Sequence, residues 1–167
     1  MTTPSVDFRA LLERLRDDGI DFIVVGGVSA VLHGAPIVTF DLDIVPSRSP
    51  PNLDRLHSAL LELEAIFRDP AARKLTPTRS DLAGMGHLLL RTSLGPLDVL
   101  CSVAEGRTHE SLLPKSTIMD LGGGLSARVV DLDELIALKR AAGREKDRAA
   151  LPLLERTLEE TRKRREG

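Results

Sequence analysis

Two aspartates stand one residue apart inside an otherwise apolar run, the segment from Val38 to Val45 that carries Asp41 and Asp43. On a strand, residues i and i+2 face the same side, so both carboxylates leave the chain together. The flanking Val38, Leu42, Ile44 and Val45 mark the strand as interior rather than half-solvated. Two neighbouring carboxylates in such a place repel one another and resist joint ionisation. Burying them without a partner is costly, so a fold that keeps this segment inside must supply a cation. A hard divalent ion meets that need, and Mg²⁺ prefers one or two carboxylates plus substrate phosphates.

A second feature lies upstream. Phe22 to Val25 is a short, continuously apolar strand that runs into Gly26-Gly27, and Val28 to His33 reads as a short helix ended by Gly34 and Pro36. A strand, a glycine turn and a helix together present backbone N–H groups and the positive end of a helix dipole. Gly26 and Gly27 lack Cβ atoms, so a phosphate can approach their backbone, and Ser29 can add a hydroxyl. A tight turn is the plain alternative. Thirteen residues separate Gly27 from Asp41, which places the glycines on one strand and the aspartates on the next.

Asp98 is a third carboxylate, within the apolar run from Leu97 to Cys101. If its strand lies beside the first, three carboxylates converge, the set that two-metal phosphoryl transfer needs. One can then accept the proton of the attacking hydroxyl. A turn residue following Gly95-Pro96 is the alternative for Asp98. The look-alike pair Asp131 and Asp133 precedes a helical apolar run, with Glu134 three residues after Asp131. It reads as a capping box and not as a metal site.

Strands are expected over 22–25, 39–45, 87–92, 96–101 and 126–130. Ser93 to Gly95 suits a hairpin between the third and fourth. Helices are expected through Phe8 to Leu15, stopped at Gly19, and from Pro50 to Leu63. Residues 68–82 read as a basic loop at the edge of the site, and 105–120 follow no clear period. Helices fill the end of the chain, where Pro152 should kink or restart the last one. The expected fold class is α+β: a central mixed sheet of about five strands, helices packed on it, and a helical C-terminus. The expected division is a core over 1–130 with a helical extension over 131–167 packed on it, one domain overall.

Composition narrows the chemistry. With four Phe and no Tyr or Trp, a stacking platform for single-stranded nucleic acid is disfavoured. The lone Cys101 rules out an internal disulfide or a multi-cysteine metal site and reads as a core thiol. His33, His57, His87 and His109 lack the spacing of a zinc helix, although His33 could lie near the phosphates. No apolar run approaches the roughly 18 residues of a membrane span. The first residues lack the pattern of a signal peptide, so a reducing cytoplasm is the expected setting. From Lys139 to Gly167 there are ten Lys or Arg against six Asp or Glu, while the first 138 residues carry thirteen against nineteen. The basic tail can meet a polyanion or form a solvated helix face.

The glycine pair after Val25, the gap, and the Asp41-Leu42-Asp43-Ile44 strand resemble the signature of the DNA polymerase β-like nucleotidyltransferase superfamily. That resemblance covers roughly residues 20–101 and implies the nucleotidyltransferase fold. By it, the glycine turn would hold the triphosphate of an NTP, Asp41 and Asp43 would bind metal, and Asp98 would complete the site. Leu132 to Lys139, followed by Gly143-Arg-Glu-Lys-Asp147, resembles the lysine and Arg-x-Lys-Asp motifs of minimal bacterial nucleotidyltransferases, including the abortive-infection toxin family. By that analogy Lys139 would touch the triphosphate, with Lys146 and Asp147 shaping the site. Lys139 and Lys146 are seven residues apart and would share a helix face if one helix spanned both. Cations there would stabilise charge on a leaving pyrophosphate. Residues Ala35 to Val38 include no basic residue, where relatives often place one.

The implied activity is Mg²⁺-dependent transfer of a nucleoside monophosphate from an NTP, with two ions expected. The acceptor could be a tRNA end, a protein side chain or a small molecule. A toxin role with a cognate antitoxin suits the same core. A nucleotide-binding or partner-binding regulatory module without catalysis is the alternative.

Overall fold

The computed structural model describes residues 6–167. Its strands are β1 (Phe22–Val25), β2 (Leu42–Pro46), β3 (Ile66–Phe67), β4 (Leu88–Thr92), β5 (Gly95–Val99), β6 (Ser116–Asp120) and β7 (Ser126–Val130). Its helices are α1 (Phe8–Asp17), α2 (Gly26–Leu32), α3 (Pro50–Glu62), α4 (Arg79–Ala83), α5 (His109–Leu112), α6 (Leu132–Ala142) and α7 (Glu145–Glu166). The strands form one mixed sheet in the order β3-β4-β5-β2-β1-β7-β6. β1 is antiparallel to β2 and parallel to β7, and β2 is parallel to β5.

The sheet has seven strands, not about five. The two extra ones carry no periodic signal. β3 is only two residues long, and β6 is an edge strand whose Thr117, Ile118 and Asp120 are exposed. The α+β class and the mixed sheet are as expected.

One face of the sheet carries α1 and α3. Leu11, Leu12 and Leu15 of α1 recur on one side of that helix, as do Leu53, Leu56 and Leu60 of α3. They pack on Val24, Leu42, Ile44, Leu90, Leu97 and Val129. On the opposite face Ile23, Val25, Val45 and Val130 meet Leu135, Ile136 and Leu138 of α6 and Leu154 of α7. The α6–α7 cover stops short of β4, where Leu89 is 43% exposed and Arg91 is exposed.

Some boundaries differ from expectation. α2 starts at Gly26 itself, and β2 starts at Leu42, so Asp41 immediately precedes the strand. Within the expected loop over 68–82 the chain forms α4, whose Thr78 and Asp81 make a reciprocal capping box. α7 continues through Pro152 without restarting. Gly143 (φ +63°) closes α6 in the left-handed conformation, and a new helix begins at Glu145. The β4–β5 hairpin turns at Ser93-Leu94, as expected, with Thr92 opposite Gly95.

Candidate active site

β1 ends at Val25, whose register partner on β2 is Asp43. Asp43 in turn lies directly opposite Asp98 on the parallel strand β5. Directly opposed residues on neighbouring strands share a face, about 4.8 Å apart. Asp41, two residues before Asp43, joins them, and carboxylate oxygens of Asp41, Asp43 and Asp98 all lie within 4.8 Å of one another. Among the described residues this is the one group of three or more His, Cys, Asp or Glu side chains so arranged.

The glycine pair serves this cluster first by leaving room. Gly26 has φ +65°, and a Cβ there would stand 2.2 Å from Asp43 Oδ2. A Cβ on Gly27 would stand 2.5 Å from Thr39 Oγ1. The segment before β2 therefore lies against the start of α2 only because both positions lack side chains. Ser29 is placed otherwise than expected: it is fully buried, and its hydroxyl donates to the Gly26 carbonyl at 2.5 Å. That bond consumes the proton a phosphate oxygen would need.

Electrostatics single out Asp43. Burial, then the charge and hydrogen-bonding contact of Asp98, then the charge of Asp41 push its carboxyl up to about 7, against the opposing charge of Lys139. Asp43 Oδ1 and Asp98 Oδ1 are both buried without a hydrogen-bond partner. Arg68 Nη1 lies 2.7 Å from Asp98 Oδ1, yet its N–H is aligned on the Leu90 carbonyl at 2.8 Å. The contact is one of charge rather than a formed hydrogen bond. An orphaned acceptor on Asp43, whose carboxyl is proton-hungry, suits a cation-binding cluster. In an octahedral Mg²⁺ shell neighbouring oxygens stand about 3 Å apart and opposite ones about 4.2 Å, so the three side chains must draw together to share one ion.

Beside Asp43 a cleft of ≈ 100 Å³ opens between Gly26, Val103, Leu138, Lys139, Arg144 and Asp147. Asp147 is completely buried, and it accepts from Arg144 Nε at 2.6 Å and from Lys139 Nζ at 3.3 Å. Burial pushes its carboxyl up, but the Arg144 hydrogen bond and the Lys139 charge outweigh that and hold it below the ordinary value. One buried carboxylate thus aims two cations at the cleft. Lys146 is not one of them, because α6 ends at Ala142 and Lys139 and Lys146 do not share a helix. Lys146 is exposed and lies outside the cleft, and Arg144 takes the place expected for it. The sequence signal for Arg144 was its position at the head of the Arg-x-Lys-Asp run.

The remaining candidates are structural. His33 Nε2 lies 2.7 Å from the Val130 carbonyl, and His109 Nε2 lies 3.2 Å from Asp21 Oδ1. Cys101 is buried. Asp131 stands at the start of α6, but its side chain accepts from Thr117 Oγ1 at 2.7 Å, and Glu134 pairs with Arg107. The expected capping box is not formed, while the structural role is kept.

No protein-family model and no curated protein sequence matches this chain. Among solved structures it is similar to a candidate nucleotidyltransferase from Thermotoga maritima, with a TM-score of 0.55 and 15% sequence identity over 87% of this chain and 88% of that one. The two share a fold. Among the described residues, no helix is long and apolar enough to cross a membrane.

Proposed function

We propose that this protein is a Mg²⁺-dependent nucleotidyltransferase that moves a nucleoside monophosphate from an NTP to an acceptor hydroxyl and releases pyrophosphate. The observation that carries the reading is the register of β2 on β5. It sets Asp43 against Asp98 beside Asp41 and leaves the buried Asp43 Oδ1 without a hydrogen-bond partner beside a cationic cleft. The fold shared with the Thermotoga protein supports it.

Asp41, Asp43 and Asp98 would hold the metal, which when bound neutralises phosphate charge and lowers the pKa of the attacking hydroxyl. Lys139 and Arg144, fixed by Asp147, would grip the β- and γ-phosphates and take up the charge that develops on the leaving pyrophosphate. Gly26 lines the cleft and, having no side chain, leaves Asp43 room beside the phosphates. The acceptor oxygen attacks the α-phosphorus as its bond to the bridging oxygen breaks, and the hydroxyl proton passes to Asp98. At ≈ 100 Å³ the cleft is well below the roughly 300 Å³ of an enclosing ligand pocket, too small to enclose a whole nucleotide.

Calorimetric titration with Mg²⁺ and each NTP tests this on the wild type and on Asp41→Ala and Asp43→Ala. Metal-dependent NTP binding that both substitutions abolish is expected. NTP binding indifferent to metal would overturn the reading. Incubation with α-labelled NTPs and cell extract then identifies the acceptor by where the label migrates.

A further inference from the structure

In-line transfer puts the attacking and leaving oxygens on opposite sides of the phosphorus. Lys139 and Arg144 occupy the α6 side of the carboxylates, so the acceptor must arrive over β5 from the side of β4 and β3. That side is open, and it is cationic. Arg68, Arg73 and Arg91 line a hollow of ≈ 400 Å³ at this end of the sheet. Asp69 is the one carboxylate lining it, and it is already engaged by Arg73 Nε at 2.5 Å and by the Ala71 N–H at 3.0 Å.

The sheet register ties this hollow to the reacting centre. The Arg68 N–H donates to the Leu89 carbonyl, Leu89 pairs with Asp98, and Asp98 pairs with Asp43. These side chains therefore cross one face in a single row, and Arg68 reaches along it to touch Asp98. Arg91, two residues from Leu89 on β4, projects from the same face. From the strand spacings its Cα lies about 8 Å from that of Asp98. Arg91 is exposed and makes no ion pair among the described residues.

We propose that Arg91, Arg73 and Arg68 form an anion subsite that holds a phosphate of the acceptor while its hydroxyl lies at Asp98. The proposal rests on the nucleotidyltransferase reading and narrows its substrate: the acceptor carries phosphate. A cationic aminocyclitol would meet three arginines and be repelled. With so few aromatic residues, this face grips phosphates rather than stacking bases. A mononucleotide and an oligonucleotide end offer the same chemistry, and the test separates them.

Binding of a nucleoside 5′-monophosphate and of a short fluorescent single-stranded oligonucleotide is measured on the full chain. The proteins are the wild type, Arg91→Glu, Arg91→Lys and a tail variant combining Arg164→Glu with Arg165→Glu, and Mn²⁺·NTP binding is followed in parallel. Arg91→Glu is expected to weaken the preferred probe about tenfold, with Arg91→Lys restoring most of the loss. The tail variant and Mn²⁺·NTP binding should stay at wild-type levels. For the oligonucleotide, the log–log salt slope should be shallower by about 0.7 in Arg91→Glu, the loss of one neutralised phosphate. Which probe binds tighter identifies the source of the phosphate.

Unchanged affinity in Arg91→Glu, loss confined to the tail variant, or failure of both probes to bind a wild type that does bind Mn²⁺·NTP would each overturn the subsite. A wild type that binds no Mn²⁺·NTP would instead remove the function beneath it, and the subsite with it.

Discussion

Replacing Asp43 by asparagine keeps the shape of the side chain and removes one charge from a crowded cluster. In the folded protein the Asp43 carboxyl is raised from 3.8 to about 7, first by burial and then by Asp98 and Asp41. Three units at 1.36 kcal/mol each amount to about 4 kcal/mol, and screening at the mouth of the cleft reduces this to about 3 kcal/mol. The sign follows from proton counting. Between pH 3.8 and about 7 the folded chain binds the proton that the unfolded chain has released, so without metal the stability of the wild type falls as pH rises through that window. Above it the whole penalty is in force. The amide that replaces the carboxyl does not titrate, so Asp43→Asn should match the wild type below pH 4 and exceed it in Tm by about 6–12 °C at pH 8 in chelator. Adding Mg²⁺ should raise the wild-type Tm and leave the variant's unmoved, because a ligand stabilises only the state that binds it. Scanning calorimetry from pH 4 to pH 8, with and without chelator, makes the measurement. A variant no more stable than wild type at pH 8, or a difference that ignores pH, would refute the account of the cluster.

Other substitutions probe the parts around it. Gly26→Ala forces a left-handed φ on alanine and drives its Cβ to 2.2 Å from Asp43 Oδ2, so urea unfolding should show a loss of at least about 2 kcal/mol, with Mn²⁺ binding impaired. Asp147→Ala leaves Lys139 and Arg144 without their shared buried partner and should cost about 3 kcal/mol at pH 7. Because the Asp147 carboxyl is held below 3.8, that stability is present above this pH, and the deficit should shrink as pH falls through the lowered value. Arg144→Ala should weaken Mg²⁺·NTP binding about tenfold, while the exposed Lys146→Ala leaves it within about twofold in the same calorimetric titration. Ser29→Ala should lose about 1 kcal/mol of stability with the bond to the Gly26 carbonyl, yet bind Mg²⁺·NTP like wild type.

What the sequence revealed and what it hid divide along one physical line. Asp41 and Asp43 were legible because a strand alternates faces and charge inside an apolar run must find a partner. The glycine pair was legible because it directly follows an apolar strand, and the room it leaves is taken by Asp43 and Thr39. Asp98 was legible as a candidate third carboxylate, but the pairing that makes it a partner was not. That Asp98 stands opposite Asp43, and that Arg68 stands one row beyond it, depends on which strands pair and in what register. Local periodicity carries no record of that pairing. β3 and β6 were missed for the same reason, since one is too short and the other too polar to alternate, and each exists only by pairing with a neighbour.

Lys146 and Arg144 show the reverse error. A spacing of seven put Lys139 and Lys146 on one helix face only if nothing interrupted the helix, and Gly143 interrupts it. The turn at Gly143 carries Arg144 into the cleft and leaves Lys146 outside. The pair at Asp131 and Asp133 makes the contrast complete. It has the same spacing as Asp41 and Asp43, but it stands where β7 passes into α6, with Thr117 to take the Asp131 carboxylate. Spacing shows which charges need a partner; the sheet decides whether that partner is a hydroxyl, an arginine or an ion.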